Sequence, residues 1–230
     1  MINPWGIITT VVFFKLSEKL KKYPVLSFFP TLLLASIFII LLLKITHINY
    51  LVYRQSVSCL TILLIPATIS LGYPLYKNIN LLSKNKRIIY FAFILAAFTA
   101  IFSTIVVAKL CGADFDTIIS LIPKSVTAPI AIEISKSLGG IPELTICIVV
   151  LTGVFGAMIG HKVLKLLNVK NPIAIGLSIG AASHVIGTSK CIEKGNEKQV
   201  VMSTLALVLV GIITTIIAPL IVSFINSVNQ

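Results

Sequence analysis

The sequence predicts an all-α, polytopic membrane protein with about six spanning helices and two broken helices that turn back as re-entrant hairpins, as in transporters with inverted repeats. Three observations predict this class. Hydrophobic residues make up 57% of the 230 residues, and the mean hydropathy is +1.05. Charged residues make up only 11%, where a soluble domain has about 25%. The positive charges lie in short loops between apolar runs, so we interpret the net charge of +12 as membrane topology and not as nucleic-acid binding.

The first part of the chain contains three predicted spans that alternate with loops. The apolar run Ile2–Phe14 is short for the roughly 20 residues of a spanning helix, so it has to continue into the amphipathic turn that follows. Lys15–Tyr23 carries four lysines and one glutamate, which places it in the cytoplasm and the N-terminus outside. Pro24–Leu43 and Ser56–Tyr76 are the next spans, and the basic loop Lys77–Arg87 is again cytoplasmic.

The loop charges around the middle of the chain predict a hairpin there. Ile88–Ala108 is the fourth span and Ile141–Gly160 the fifth, and the basic loop His161–Asn171 that follows is cytoplasmic. By this count Ile119–Gly140 both begins and ends outside, so it enters and leaves on the same face. The alternative is one ordinary kinked span with a misassigned loop.

Two prolines mark the middle of this hairpin. Pro129 removes a backbone donor and Pro123 disfavours helical geometry at Ile122, so together they bracket Lys124–Ala128 as a break between two short helical pieces. Non-helical backbone at membrane depth is tolerated only where it is buried in protein or faces a wet cavity. The break therefore predicts a functional site.

A second irregular stretch, Asn171–Lys190, contains three glycines, several hydroxyl side chains and His184. It is too short and too broken for a simple span. If the loop Lys190–Lys198 is also cytoplasmic, this stretch is a hairpin from the opposite face, and Val200–Ile225 is the last span. Two interrupted segments in corresponding positions are the pattern of a transporter with inverted repeats. We treat residues 1–230 as a single membrane domain, with seven or eight spans as the competing count.

Lys124 is the first candidate site residue, because an ionisable group inside a membrane is costly unless it has a partner or a function. Its ammonium group, together with the free N–H groups of a half-helix beginning at Ser125, is suited to hold an anion. The hydroxyl groups of Ser120, Ser125 and Thr127 are expected to converge on it. The alternative is that Lys124 lies at the hairpin tip and extends to the opposite surface.

Two other ionisable residues are weighed as proton carriers. Glu133 precedes Lys136 by three residues, so a local ion pair is the favoured interpretation and proton coupling the weaker one. His184 has two interpretations of equal weight. It forms a structural hydrogen bond between helices, or it contacts the substrate and carries a coupling proton, since its pKa is easily moved through neutrality.

The sequence gives no support for an enzyme. It contains no metalloprotease, nucleophile-elbow or phosphate-loop motif, and its four cysteines have no metal-like spacing. We therefore expect no catalytic residue, no cofactor and no metal site.

The motifs P-K-S-V-T-x-P-I-A from Pro123 and H-x-I-G-T from His184 are similar to those of the LrgB/CidB family. Members are named antiholin-like proteins or murein hydrolase export regulators, and they usually work with a small holin-like membrane protein. The plastidal glycolate/glycerate translocator resembles a fusion of the two. The resemblance implies a small monocarboxylate substrate, such as pyruvate or glycolate, and a bacterial inner (plasma) membrane location. The sequence departs from the family pattern at Glu133, where a small or apolar residue is usual, and at Val210, which replaces an asparagine.

Two functions are consistent with these sequence features. The first is a monocarboxylate transporter with a binding site near the midplane, formed by both hairpins. The second is a regulator of murein hydrolase activity and autolysis that transports nothing itself, with its hairpins packed against the holin-like partner; a pure channel is a third option. The expected partners are that holin-like protein, the lipid bilayer and a small carboxylate substrate, with no nucleic acid, and the sequence leaves open whether the chain forms a homo-oligomer. The substrate-binding residues of the first function are Lys124, Ser125, Thr127 and Ser120 on one hairpin and His184, Gly187 and Thr188 on the other.

Overall fold

The computed structural model describes residues 5–23, 26, 29–70, 72–77, 86–194 and 196–228. Within these residues every regular element is a helix, so the predicted all-α class is confirmed. The chain divides into two compact units, Met1–Ile69 and Ser70–Gln230. The single membrane domain over residues 1–230 stays a prediction.

The first unit is built on a long helix that continues through its basic end. Helix α1 (Trp5–Leu20) extends past Phe14 into the lysine-bearing turn, as its short apolar run predicts. Gly6 lets α1 approach Ser56 closely, because a Cβ at position 6 would collide with Ser56 Oγ. The hydroxyl groups of Thr10 and Tyr53 lie 2.8 Å apart and join the same two segments.

The remaining helices of this unit are short. They are α2 (Thr31–Ile45), α3 (Tyr50–Ser56), α4 (Ser58–Ile62) and α5 (Leu64–Ser70). The predicted second span, Pro24–Leu43, is described in part, and most of α2 lies within it.

The predicted third span, Ser56–Tyr76, is not a single helix in its described residues. The helical structure is interrupted at Val57 and at Leu63, and the stretch forms α4, α5 and the next short helix, α6 (Gly72–Lys77). Pro66 explains the second interruption, because it has no N–H group to donate to the carbonyl of Ile62. The cytoplasmic loop predicted at Lys77–Arg87 lies mostly outside the described residues.

The second unit contains the long helices. By length and composition, four helices among the described residues are able to cross a membrane: Arg87–Leu110, Pro142–Leu166, Pro172–Glu193 and Glu197–Ile225. The count of about six spans is not reached by these criteria and stays a prediction. The elements after α6 are α7 (Lys86–Leu110), α8 (Phe115–Leu121), a 3-10 turn (Ile122–Ser125), α9 (Ala128–Leu138), α10 (Pro142–Leu166), α11 (Pro172–Glu193) and α12 (Glu197–Val228).

The segment from α8 to α9, which we call hairpin 1 (Phe115–Leu138), turns back on itself. Its two ends meet, because Ser120 Oγ accepts a hydrogen bond of 2.7 Å from the backbone N–H of Ile141. Thr145 Oγ1 donates to the carbonyl of Ser120 at 2.9 Å, and Ser135 Oγ lies 2.8 Å from the same Thr145 hydroxyl. The reversal is the one predicted from the loop charges.

Helix α11, which we call hairpin 2 (Pro172–Glu193), also reverses its direction. His184 interrupts the helix with φ +40° and ψ −135°. A Cβ at Gly187 would lie 3.1 Å from the carbonyl oxygen of Ile179, although these residues would be about 12 Å apart along a straight helix. The two arms, 172–183 and 185–193, therefore lie side by side. Ile175 and Lys194 accordingly line one cavity, at the open end of the hairpin.

The two hairpins approach helix α10 from opposite ends. The ends of hairpin 1 contact Ile141 and Thr145 at its beginning, and the ends of hairpin 2 share a cavity with His161 near its end. This is the inverted arrangement that the sequence predicts. Each hairpin also packs into its own apolar cluster. One contains Ile122 and Val126 of hairpin 1, and the other contains Ala181 of hairpin 2 with the first half of α12.

Candidate functional site

A cavity of about 500 Å³ lies where the two hairpins and two long helices come together. Helix α7, the break of hairpin 1, the middle of α10 and the first arm of hairpin 2 all contribute to its wall. Its apolar lining consists of four alanines and Leu177, so small side chains leave the space open. Its polar lining residues are Thr99, Ser103, Lys124, Ser125, Thr152 and Ser178.

Lys124 is the charged residue among those that line this cavity. It is partly buried, and no carboxylate of the described residues forms an ion pair with it. An unpaired ammonium group in a helical membrane protein is costly unless it faces a wet cavity or binds an anion. The cavity thus combines one positive charge with several hydroxyl groups, which is the chemistry that a small anion with hydrogen-bonding groups requires.

The break of hairpin 1 holds Lys124 and Ser125 at the cavity, but the second half-helix begins later than predicted. It begins at Ala128 and not at Ser125, because a helix from Ser125 would need an N–H donor at Pro129. Val126 and Thr127 are extended, and Pro129 lies in the first turn, where its missing N–H costs nothing.

Thr127 is the residue that precedes α9. Its side chain is 4% exposed, and its Oγ1 has no hydrogen-bond partner in the part of the chain that the structure describes. A buried hydroxyl group left unpaired costs about 1–3 kcal/mol, so a ligand or water oxygen that reaches it would be stabilised. Thr127 does not line the cavity surface itself, but it lies two residues beyond Ser125, which does.

Ser120 lies away from this cavity, at the open end of hairpin 1. Its hydroxyl group donates to the carbonyl of Asp116 at 2.6 Å and accepts from the N–H of Ile141 at 2.7 Å. The first bond lies within α8, and the second joins α8 to the residue that precedes α10. Ser120 therefore has a structural role in hairpin 1, and its hydroxyl group does not converge on Lys124 as predicted.

His184 is buried and does not line the cavity. Its Nε2 lies 2.9 Å from the carbonyl oxygen of Val149, which joins the tip of hairpin 2 to α10. The imidazole ring packs where a side chain at Gly153 would otherwise lie. This contact is the helix-to-helix hydrogen bond that was one of the two interpretations of His184.

The other predicted residues of hairpin 2 also belong to its turn. Gly187 faces Ser183 and Ile179 across the two arms, with no room for a Cβ. Thr188 Oγ1 donates to the carbonyl of His184 at 2.9 Å. These residues form the tip of hairpin 2, and only the first arm of that hairpin lines the cavity.

Glu133 lies on the surface, with 75% of its side chain exposed, and forms an ion pair of 3.0 Å with Lys136. The local pair predicted from the i, i+3 spacing is confirmed. Glu133 does not line the cavity.

The cavity also contains hydroxyl residues that the sequence interpretation missed. Thr99 and Ser103 lie four residues apart on α7, hence on one helix face, and Thr152 lies beside the small-residue face of α10. The spacing on α7 was a signal, but Thr99 Oγ1 donates to the carbonyl of Leu95 at 2.8 Å. Such bonds within a helix are common for membrane hydroxyl residues, so the spacing did not single this pair out.

The comparisons with known proteins agree with the motifs. The LrgB-like family matches residues 10–224. An uncharacterized protein of Haemophilus influenzae is 36% identical over 91% of this chain and 90% of its own length. The uncharacterized protein YxaC of Bacillus subtilis is 32% identical over 94% of this chain and 93% of its own. The antiholin-like protein LrgB of Bacillus cereus is 32% identical over 96% of both. No solved structure matches the chain.

Proposed function

Because the chain belongs to the LrgB-like family, we propose that this multi-pass membrane protein transports a small monocarboxylate across the bacterial plasma membrane, together with a small holin-like partner. The observation that carries the proposal is Lys124, an ammonium group without a carboxylate partner in the described structure, placed at a cavity between two hairpins. A protein that only packs against a partner needs small residues at its surface. It has no use for a lysine at membrane depth.

The size and charge of the cavity fit this substrate class. A volume of about 500 Å³ admits a small organic acid with some water. One ammonium group is matched by one carboxylate, and the hydroxyl groups of Ser125, Thr152 and Ser178 offer hydrogen bonds to a second oxygen such as a keto or hydroxyl group. Pyruvate, glycolate and lactate have this composition. Thr127, with its unpaired Oγ1, is the further contact that we assign to hairpin 1.

The arrangement of the hairpins supports transport over simple anchoring. Broken helices that approach a central site from opposite ends are the design in which one repeat moves against the other to give alternating access. On this proposal Lys15–Tyr23 and His161–Asn171 face the cytoplasm and the N-terminus lies outside, following the positive-inside rule. No enzymatic step is part of the mechanism.

The second candidate is regulation of murein hydrolase activity without transport. It is favoured by the name of the Bacillus cereus relative, an antiholin-like protein. The two candidates predict different results in a purified system, because regulation alone gives no substrate flux.

The test is uptake of labelled pyruvate, glycolate and lactate by proteoliposomes that contain the protein with and without the holin-like protein. Lys124→Met keeps the length of the side chain and removes its charge. A lost charge-assisted contact of about 1.5–3 kcal/mol weakens apparent affinity roughly tenfold to hundredfold. Lys136→Met, an exposed lysine on the same hairpin, is the matched control and should leave uptake unchanged. Equal kinetics for Lys124→Met and the parent would exclude the anion-binding role of Lys124.

A further inference from the structure

A second cavity, of about 560 Å³, lies at the end of helix α10 and is separate from the one just described. Three lysines from three different segments line it. Lys165 is in the last turn of α10, Lys170 lies in the connection to hairpin 2, and Lys194 follows the end of hairpin 2. Loop lysines that only set topology have no reason to converge on one concave site. The convergence is therefore the first observation that indicates a ligand.

The positive charge of this cavity is not offset by its own lining. None of its lining residues is acidic, and Glu193, at the end of hairpin 2, is paired with Lys190 at 2.8 Å. The pKa of Lys194 is lowered by burial and, next, by the positive charge of Lys190, with a further contribution from Lys165. The lysines thus repel one another.

The helix termini do not compensate for this charge. Helices α10 and α11 end near the cavity, and α11 and α12 begin there, so partial charges of both signs surround it and largely cancel. The three lysines are exposed, so solvent screens part of their repulsion, and a bound anion would offset it further.

The hydrogen bonding of His161 indicates which kind of anion would fit this cavity. Its Nε2 lies 3.4 Å from Gln199 Oε1, and its Nδ1 is buried without a partner among the described residues. With the ring proton on Nε2, the free Nδ1 accepts a hydrogen bond. A carboxylate has no donor to offer, whereas a phosphate group that keeps one hydroxyl provides both a donor for Nδ1 and oxygen acceptors for the lysines.

We propose that this cavity, lined by Lys165, Lys170, Lys194 and His161, binds a phosphate group. Ile175 and Lys194 stand at the two ends of hairpin 2, so a bound phosphate would connect both of its ends to α10. The phosphate group belongs either to free phosphate or a soluble phosphomonoester, or to a lipid headgroup that ends in a phosphomonoester. Basic pockets between membrane helices are known to accept such headgroups.

The experiment measures thermal unfolding of the purified protein in detergent while sodium phosphate is titrated at constant ionic strength, with sodium chloride and sodium acetate as references. Phosphate should raise the midpoint in a saturable way, and the references should not. Lys194→Gln should weaken phosphate binding about twofold to fivefold, and Lys165→Gln with Lys194→Gln about tenfold, as expected for partly exposed charge pairs. Lys198→Gln removes the same charge from α12 outside the cavity lining and is the matched control.

A lipid arm identifies the source of the phosphate group. Native mass spectrometry should be run on protein from bilayers that contain phosphatidic acid, whose monoester phosphate keeps a hydroxyl, or only phosphatidylcholine, whose phosphate is a diester. Phosphatidic acid retained by the parent and lost from the double variant, without stabilisation by free phosphate, assigns the site to a headgroup. The proposal is wrong if acetate stabilises as much as phosphate, if neither phosphate source binds, or if Lys198→Gln weakens binding as much as Lys194→Gln. If a glutamine variant does not fold, the comparison of phosphate with acetate on the parent protein still tests whether the cavity binds phosphate.

Discussion

Gly180 provides the sharpest test of the second hairpin, because its packing leaves no room for a methyl group. It lies on the first arm of hairpin 2 against Ser203 of α12, and a Cβ there would collide with the Ser203 carbonyl oxygen. The same Cβ would lie 2.7 Å from Ser203 Cα, where ordinary contacts are 3.4–4 Å. Backbone atoms have no alternative rotamer, so Gly180→Ala has to move hairpin 2 away from α12.

The energy of this change has two opposing terms. Alanine is favoured over glycine inside a helix by about 1 kcal/mol. Opening a packed interface by roughly 0.5–1 Å loses a quarter to a half of its dispersion energy, and overpacking typically costs about 1–3 kcal/mol or more. We therefore expect a net destabilisation of up to about 2 kcal/mol, which lowers the unfolding midpoint by up to roughly 8 °C for a chain of this size.

Gly211→Ala is the matched control within α12. Among the described residues, a Cβ at Gly211 would meet only Ile130 Cδ1, at 3.3 Å, and that is the end of a flexible side chain. This variant should be neutral or up to about 1 kcal/mol more stable, from helix propensity alone. Both variants are compared by thermal unfolding in the same detergent. If Gly180→Ala is stabilised as much as Gly211→Ala, hairpin 2 does not pack against α12 as described here.

Three further predictions concern the hairpins. His184→Gly should unfold at a higher temperature than His184→Ala, because both lose the bond to α10 but only glycine adopts a positive φ without about 1 kcal/mol of strain. In transport assays, His184→Gln should keep the parent's pH profile. A flattened pH profile would instead support the proton-carrier role. Thr145→Val should cost about 1–3 kcal/mol through the loss of buried hydrogen bonds, whereas exposed Thr215→Val should change the unfolding midpoint little. Cysteines introduced at Asp116 and Glu143 should be labelled from the same side of the membrane, and labelling from opposite sides would mean that hairpin 1 is a broken span.

The breaks of the two hairpins differ in how far the sequence could predict them. Pro123 and Pro129 act locally, on the residue before each proline and on the carbonyl four residues earlier, so the first break could be placed to within a few residues. The second break falls on His184, which adopts a backbone conformation that usually requires glycine. Its strain is offset by burial and by the bond to Val149, and a contact with another helix is not visible in local sequence.

The composition of the cavity could be predicted only in part. Lys124 stood out because a charge inside an apolar segment is rare. Ser120 looked equivalent, but it lies four residues from Lys124 along the arm, about 6 Å, and its hydroxyl group serves the other end of hairpin 1. Thr99 and Thr152 come to the cavity on two other helices, and their proximity depends on tertiary packing that no short motif encodes.

The two hairpins contribute differently to the proposed site. The polar side chains at the tip of hairpin 2 have partners within the protein: His184 bonds to the Val149 carbonyl, and Thr188 to the His184 carbonyl. On hairpin 1, by contrast, Lys124 lacks a carboxylate and the Thr127 hydroxyl lacks any partner in the described structure. Since buried polar groups are stabilised by completing their hydrogen bonds, the groups on hairpin 1 are the ones that a substrate would stabilise under the proposed function. Hairpin 2, fixed to α10 through His184, would supply part of the wall of that site.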